Sequence, residues 1–181
     1  MNVARLLLNQ MHERHTGLTP EVSAYYGQAA CVCLDRHHNP PVVFELNDGG
    51  SASQAEVNWL PTTPRVQGAW ANQIDTTEAG AYACALAGTE LLRGLVAVRR
   101  AETGTGADYY IGPPGSCTED LEDCLRLEVA GVDVGDLAIL DRKLKAKVKQ
   151  AQEGNSNLPA LASVVGFQTR RILLTDVQEE L

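Results

Sequence analysis

Gly104-Thr105-Gly106-Ala107-Asp108-Tyr109-Tyr110-Ile111 and, beyond a proline- and acid-rich interval, Leu125-Arg126-Leu127-Glu128-Val129-Ala130 are the segments on which the fold turns. The first runs from a glycine-rich turn into aromatic and β-branched residues. The second alternates large apolar side chains with charged ones, so both read as strands. Each carries one acid where a sheet interior favours something else. Asp108 is delivered to the start of its strand by the turn, and Glu128 sits between Leu127 and Val129. Structural roles stand open for both: Asp108 as an acceptor of backbone N–H groups in its turn, Glu128 as half of a buried ion pair.

Outward from this pair, Val96-Ala97-Val98-Arg99-Arg100 predicts a strand. Before it, a helix is expected from just after Asp75 or Thr76 to about Leu92, with Glu78 in its first turn and Arg93-Gly94 closing it. Residues 79–88 of that helix are crowded with alanine and glycine, which suits close packing on a sheet. On the other side, a helix over about 135–152 is followed by strands at 161–167 and 171–174. The order α-β-β-β-α-β implies a mixed α/β layer architecture.

Residues 1–74 read as an N-terminal extension to this 75–177 core, the whole chain 1–181 being one domain, as its length suggests. Val3, Leu6, Leu7 and Met11 give residues 2–15 an amphipathic helical pattern, closed by Thr16-Gly17. Thr19 as N-cap and Pro20 at the first helical position open a second helix to about Leu34. Strands at 42–46 and 55–59 then flank the turn-rich 47–51 as a hairpin. A short helix is expected at 65–72. Trp59 and Trp70 read either as core residues or as interface anchors.

The Asp108 strand and Leu127-Glu128-Val129-Ala130, with Glu78 on the preceding helix, resemble the PD-(D/E)XK (restriction-endonuclease-like) nuclease superfamily. In that family a glutamate-bearing helix precedes a strand hairpin with an aspartate on its second strand; the next strand carries Glu-x-Lys and a helix follows. The resemblance runs from about residue 75 to 177 and implies a restriction-endonuclease-like mixed sheet flanked by helices. It further implies Mg²⁺ held by Glu78, Asp108 and Glu128, and hydrolysis of phosphodiesters in DNA. A hard cation there lowers the pKa of bound water and stabilises charge on the phosphate. The family's lysine falls on Ala130, which has no amine. The resemblance then implies that Asp108 and Glu128 recruit Lys143 or Lys145 from the next helix, or Arg126 from the strand itself. Arg126 shares the face of Glu128 and can instead neutralise it. Glu78 also fits a plain first-turn charge, and Glu90 is an alternative family glutamate.

A net charge of −8 and a pI near 4.9 oppose nucleic-acid binding unless basic residues are concentrated locally. Residues 141–149 hold five of the fifteen, Arg142, Lys143, Lys145, Lys147 and Lys149, which also reads as a solvated helix face. Three readings follow. The first is a metal-dependent nuclease acting on DNA, placed by analogy with the family in a bacterial defence or toxin-like system. The second is a catalytically inactive subunit of the same fold, serving as a protein-binding or scaffold component. The third is an unrelated α/β interaction protein whose acids are structural, which separation of Asp108 and Glu128 in the fold would support. DNA, a protein partner or a second copy of the chain are the expected partners.

A membrane is not among them, since no segment is apolar over a bilayer's width. Five cysteines without a metal-binding spacing fit reduced thiols in a cytoplasm. No phosphate-loop or nucleophile-elbow motif is present.

Overall fold

The computed structural model describes residues 3–178. Eight strands make one mixed sheet in the order β1-β3-β2-β8-β7-β6-β5-β4. They are β1 (Ala4–Arg5), β2 (Val42–Asp48), β3 (Ser51–Val57), β4 (Val96–Arg100), β5 (Tyr109–Gly112), β6 (Leu125–Val132), β7 (Ala160–Gly166) and β8 (Arg171–Val177). The helices are α1 (Pro20–Asp35), α2 (Pro64–Ala69), α3 (Gln73–Arg93) and α4 (Leu137–Gln152). None is long and apolar enough to cross a membrane.

The expected α-β-β-β-α-β order is present from α3 onward. β4, β5 and β6 form an antiparallel meander, and β7 lies parallel to β6. Parallel neighbours need a crossover, and α4 supplies it. β7 is buried throughout, with Leu161 and Val165 in the core shared with α1 and α3, and Val164 in a smaller core under α4. Burial on both faces is why this strand is a continuous apolar run. Phe44, Leu86, Leu127 and Phe167 are fully buried in the larger core, each worth about 1.5–3 kcal/mol of transfer energy.

The N-terminal expectation needs correction. Residues 3–15 are not a helix; Asn2 lies outside the described residues. Ala4–Arg5 pairs with the edge of β3, the Leu6 amide donates to the Glu56 carbonyl, and one 3-10 turn covers Met11–Glu13. Leu6 and Leu8 are buried while Leu7 is half-exposed, a period of two. The unpaired backbone groups of the β3 edge decide between the two patterns. The hairpin forms as expected, turning at Gly49-Gly50, both at positive φ. It is not a separate extension, because β2 pairs in parallel with β8 and continues the core sheet.

The same segment settles the place of Glu90. Arg14 Nε donates to it at 2.9 Å, and His15, fully buried, binds it through Nε2 at 3.0 Å. His15 Nδ1 accepts from the Ala97 amide, which makes the ring neutral, and burial lowers its pKa despite the Glu90 charge. Glu90 therefore anchors the N-terminal segment to α3. Trp59 and Trp70 are core residues whose indole N–H groups donate to Asp35 and Gln28.

Candidate functional site

The site lies at a fork in the sheet. β5 and β6 are paired from Ile111–Leu125 to Tyr109–Leu127, and the last link is the Asp108 amide donating to the Leu127 carbonyl at 2.8 Å. β6 continues to Val132 alongside β7 while β5 diverges from it. Asp108 closes the crotch: its Oδ2 accepts from the Val129 amide at 2.8 Å. The structural role open to Asp108 is thus real, and it fixes the carboxylate beside Glu128, its cross-strand neighbour.

Glu128 is 1% exposed and faces α4. Burial pushes its pKa up, Lys147 opposes that, and the neighbouring Asp108 charge adds to it. Lys147 Nζ lies 2.9 Å from Glu128 Oε1 and 3.1 Å from Gln150 Oε1. Ala130, two residues along the same face, lines the cleft that Lys143 and Lys147 enter. The basic group beside Glu128 is therefore Lys147, one turn beyond Lys143. Lys143 lines the same cleft, whereas Lys145 points from the exposed face of α4.

Arg126 neither enters this cleft nor shares its open wall. It is buried and donates to the carbonyls of Thr105, Ala151 and Leu158, bracing the glycine-rich turn against the C-terminal end of α4.

Glu78 joins from α3 at one remove. Asn72 caps that helix by accepting from the Ile74 and Asp75 amides. Tyr82, one turn after Glu78, places its hydroxyl 2.8 Å from Asp108 Oδ1 and 3.3 Å from Glu78 Oε1. Its one proton serves the nearer acceptor, and burial followed by the Asp108 charge raises the phenol's pKa, so that proton stays. α3 comes this close only because Gly131 has no side chain: a Cβ there would stand 2.6 Å from the Thr77 carbonyl oxygen. Gly131→Val is expected to lower stability by about 1–3 kcal/mol by overpacking. Urea unfolding should show a lower midpoint at an unchanged slope.

The cleft encloses about 610 Å³ along the free edge of β6, from Glu78, Asp108 and Lys147 to Asp133. Asp133 is held by Arg36 at 3.4 Å and His37 at 2.9 Å. A second hollow of about 410 Å³ lies across Asp108, against Gly104, Gly106 and Arg100. A further hollow of about 520 Å³, between the N-terminal segment and α1, is mainly apolar. Its one thiol, Cys31, is pushed up to about 11 by burial and the Asp35 charge, which removes it as a nucleophile.

Among the described residues no three acidic, histidine or cysteine side chains converge on one ion-sized point. Asp108 and Glu128 form a two-carboxylate centre. That donor set suits Mg²⁺, which keeps several waters and is often bound through one or two carboxylates and substrate phosphate oxygens. The raised pKa of Glu128 marks a carboxylate that a cation would hold ionised.

Sequence reasoning missed Lys147, Tyr82, Gly131 and Arg100. The i, i+4 spacings of Glu78 with Tyr82 and of Lys143 with Lys147 were the available signals. Comparison with family models, with curated proteins and with solved structures finds no match to this chain.

Proposed function

We propose that the fork is a metal-dependent phosphodiesterase site of the PD-(D/E)XK type, acting on DNA, with its lysine supplied by α4 in place of β6. The observation that carries this reading is the 2.9 Å contact of Lys147 with Glu128 above Ala130. Order, spacing and the fork agree with it: a glutamate-bearing helix, an aspartate at the crotch, a glutamate on the next strand, and a cation over the position where the strand lysine is missing. Separation of Asp108 and Glu128 would have supported the reading with purely structural acids, and the two are neighbours.

A bound Mg²⁺ would lower the pKa of a water and stabilise charge on the phosphate. Asp108 and Glu128 would hold the ion. Lys147 would orient the attacking water and offset phosphate charge, while Tyr82 keeps Asp108 in its rotamer. In the hydrolysis one water oxygen bonds to phosphorus, one ester P–O bond breaks, and a water proton ends on the leaving oxygen.

The charge obstacle is eased locally. Arg14, Arg36, Arg93 and Arg171 are each bound to a carboxylate. Arg142, Lys143 and Lys145 on α4 form no ion pair with a described residue, and of these Lys143 lines the cleft beside Lys147.

The inactive-subunit reading is favoured by the net charge of −8, which suits a protein partner better than DNA. A place in bacterial defence stays an analogy. Calorimetry decides the first step: saturable Mn²⁺ or Mg²⁺ binding is expected for the native chain and its loss for Asp108→Ala/Glu128→Ala. No binding in the presence of a DNA strand would sink the nuclease reading and leave the partner-binding one.

A further inference from the structure

Asp108 stands between two hollows. On one side is the cleft with Lys143 and Lys147; on the other, the hollow against the Gly104–Gly106 turn has its own cation, Arg100. Arg100 ends the edge strand β4. Its guanidinium carbon lies 4.6 Å from the ring centroid of Tyr82 and 4.9 Å from that of Tyr109, and Nη2 donates to the Tyr82 hydroxyl at 3.1 Å.

Two aromatic faces fix the plane of the guanidinium and leave its edge clear. Among the described residues that bond to Tyr82 is the one hydrogen bond it makes. The closest carboxylate oxygen, Asp108 Oδ1, is 3.7 Å away, and 48% of the side chain is exposed. The other acids of this hollow are engaged elsewhere: Glu102 accepts from Arg99 and Tyr110, and Glu153 pairs with Lys149. An arginine held in one orientation, with most of its donors unused and two metal-type carboxylates beside it, suits bidentate binding of a phosphate.

We propose that Arg100 binds a substrate phosphate in the hollow on the Gly104–Gly106 side of Asp108, so that one strand is gripped on both sides of the bond presented to Asp108 and Glu128. The inference rests on the nuclease reading and adds the form of its substrate. Cations on one side of the carboxylates would serve a chain end. Cations on both sides grip chain on both sides of the scissile bond, which suits a strand running through the site, a continuous polynucleotide cut internally, over one that ends there.

The test uses covalently closed circular DNA, single-stranded and duplex, beside linear copies of the same sequence, all in Mn²⁺. The native chain is expected to cut circles as well as linear strands. Arg100→Ala should slow cleavage of both by about ten- to a hundredfold. Arg100→Lys should recover only part of the rate, because an ammonium lacks the planar fork. The slope of log affinity against log salt for a linear single strand, measured in Ca²⁺, should flatten by about 0.7 in Arg100→Ala. Melting curves of both variants check that the fold is kept. Linear cleavage without circle cleavage, or native rate and salt slope in a folded Arg100→Ala, would overturn the inference and leave the nuclease reading standing. Cleavage of neither form by the native chain would overturn both.

Discussion

Glu128→Gln is expected to abolish saturable Mn²⁺ binding and DNA cleavage while raising the melting temperature. The two effects come from one placement. Glu128 is buried on β6 beside Asp108, and burial is the largest cause of its raised pKa. A raised folded-state pKa means that the native state binds its proton more tightly than the unfolded chain. The resulting stability is fully present below the ordinary value of 4.5 and is lost as pH rises through the folded value. At neutral pH the native protein therefore carries a carboxylate that its fold disfavours.

Glutamine removes that charge but keeps an oxygen that can accept from Lys147. The expected gain is about 1 kcal/mol, which for a chain of this size is a rise of about 2–4 °C. Native and variant melting temperatures should converge below about pH 4.5 and separate above it. Added Mn²⁺ should raise the melting temperature of the native chain alone, since only the native pair binds it. A variant that is neither more stable at neutral pH nor impaired in Mn²⁺ binding would show that Glu128 is only half of a structural ion pair.

The parts of this site differ in how legible they were, and the reason is physical. Asp108 and Glu128 could be found in the sequence because each breaks a local rule: a charge follows a glycine turn into a strand, and another sits inside an apolar alternation. The strands themselves were legible because β5, β6 and β7 carry continuous or alternating apolar residues.

Lys147 breaks no rule. A lysine on a basic helix looks solvated, and only the crossing of α4 over β6 singles it out from Lys143 and Lys145. Gly131 was likewise silent, because what matters there is absent volume that lets α3 approach. The N-terminal misreading has a different source. Leu6-Leu7-Leu8 fits either a helix or a strand, and an edge of β3 about fifty residues away decides it.

Lys147→Ala is expected to slow cleavage by about a hundred- to a thousandfold, the usual loss when one group that stabilises developing charge is removed. The magnitude alone would not separate catalysis from structure, because Glu128 also loses its partner, and an unpaired buried carboxylate destabilises the fold. The decisive variant moves the amine. In Lys147→Ala/Ala130→Lys the lysine returns to the strand position from which it is missing, two residues after Glu128 and on the same face. The space vacated on α4 and the small residue replaced on β6 border one cleft, so the new side chain has room to reach it. The double variant should recover at least tenfold of the lost rate, whereas Ala130→Lys alone should add little to a site that already has its amine. Recovery would mean that the amine's location over the carboxylates, and not the helix that carries it, is what the chemistry requires. A folded double variant as slow as Lys147→Ala would assign Lys147 to holding Glu128 in place and return the lysine's chemical role to Lys143, the other amine in the cleft.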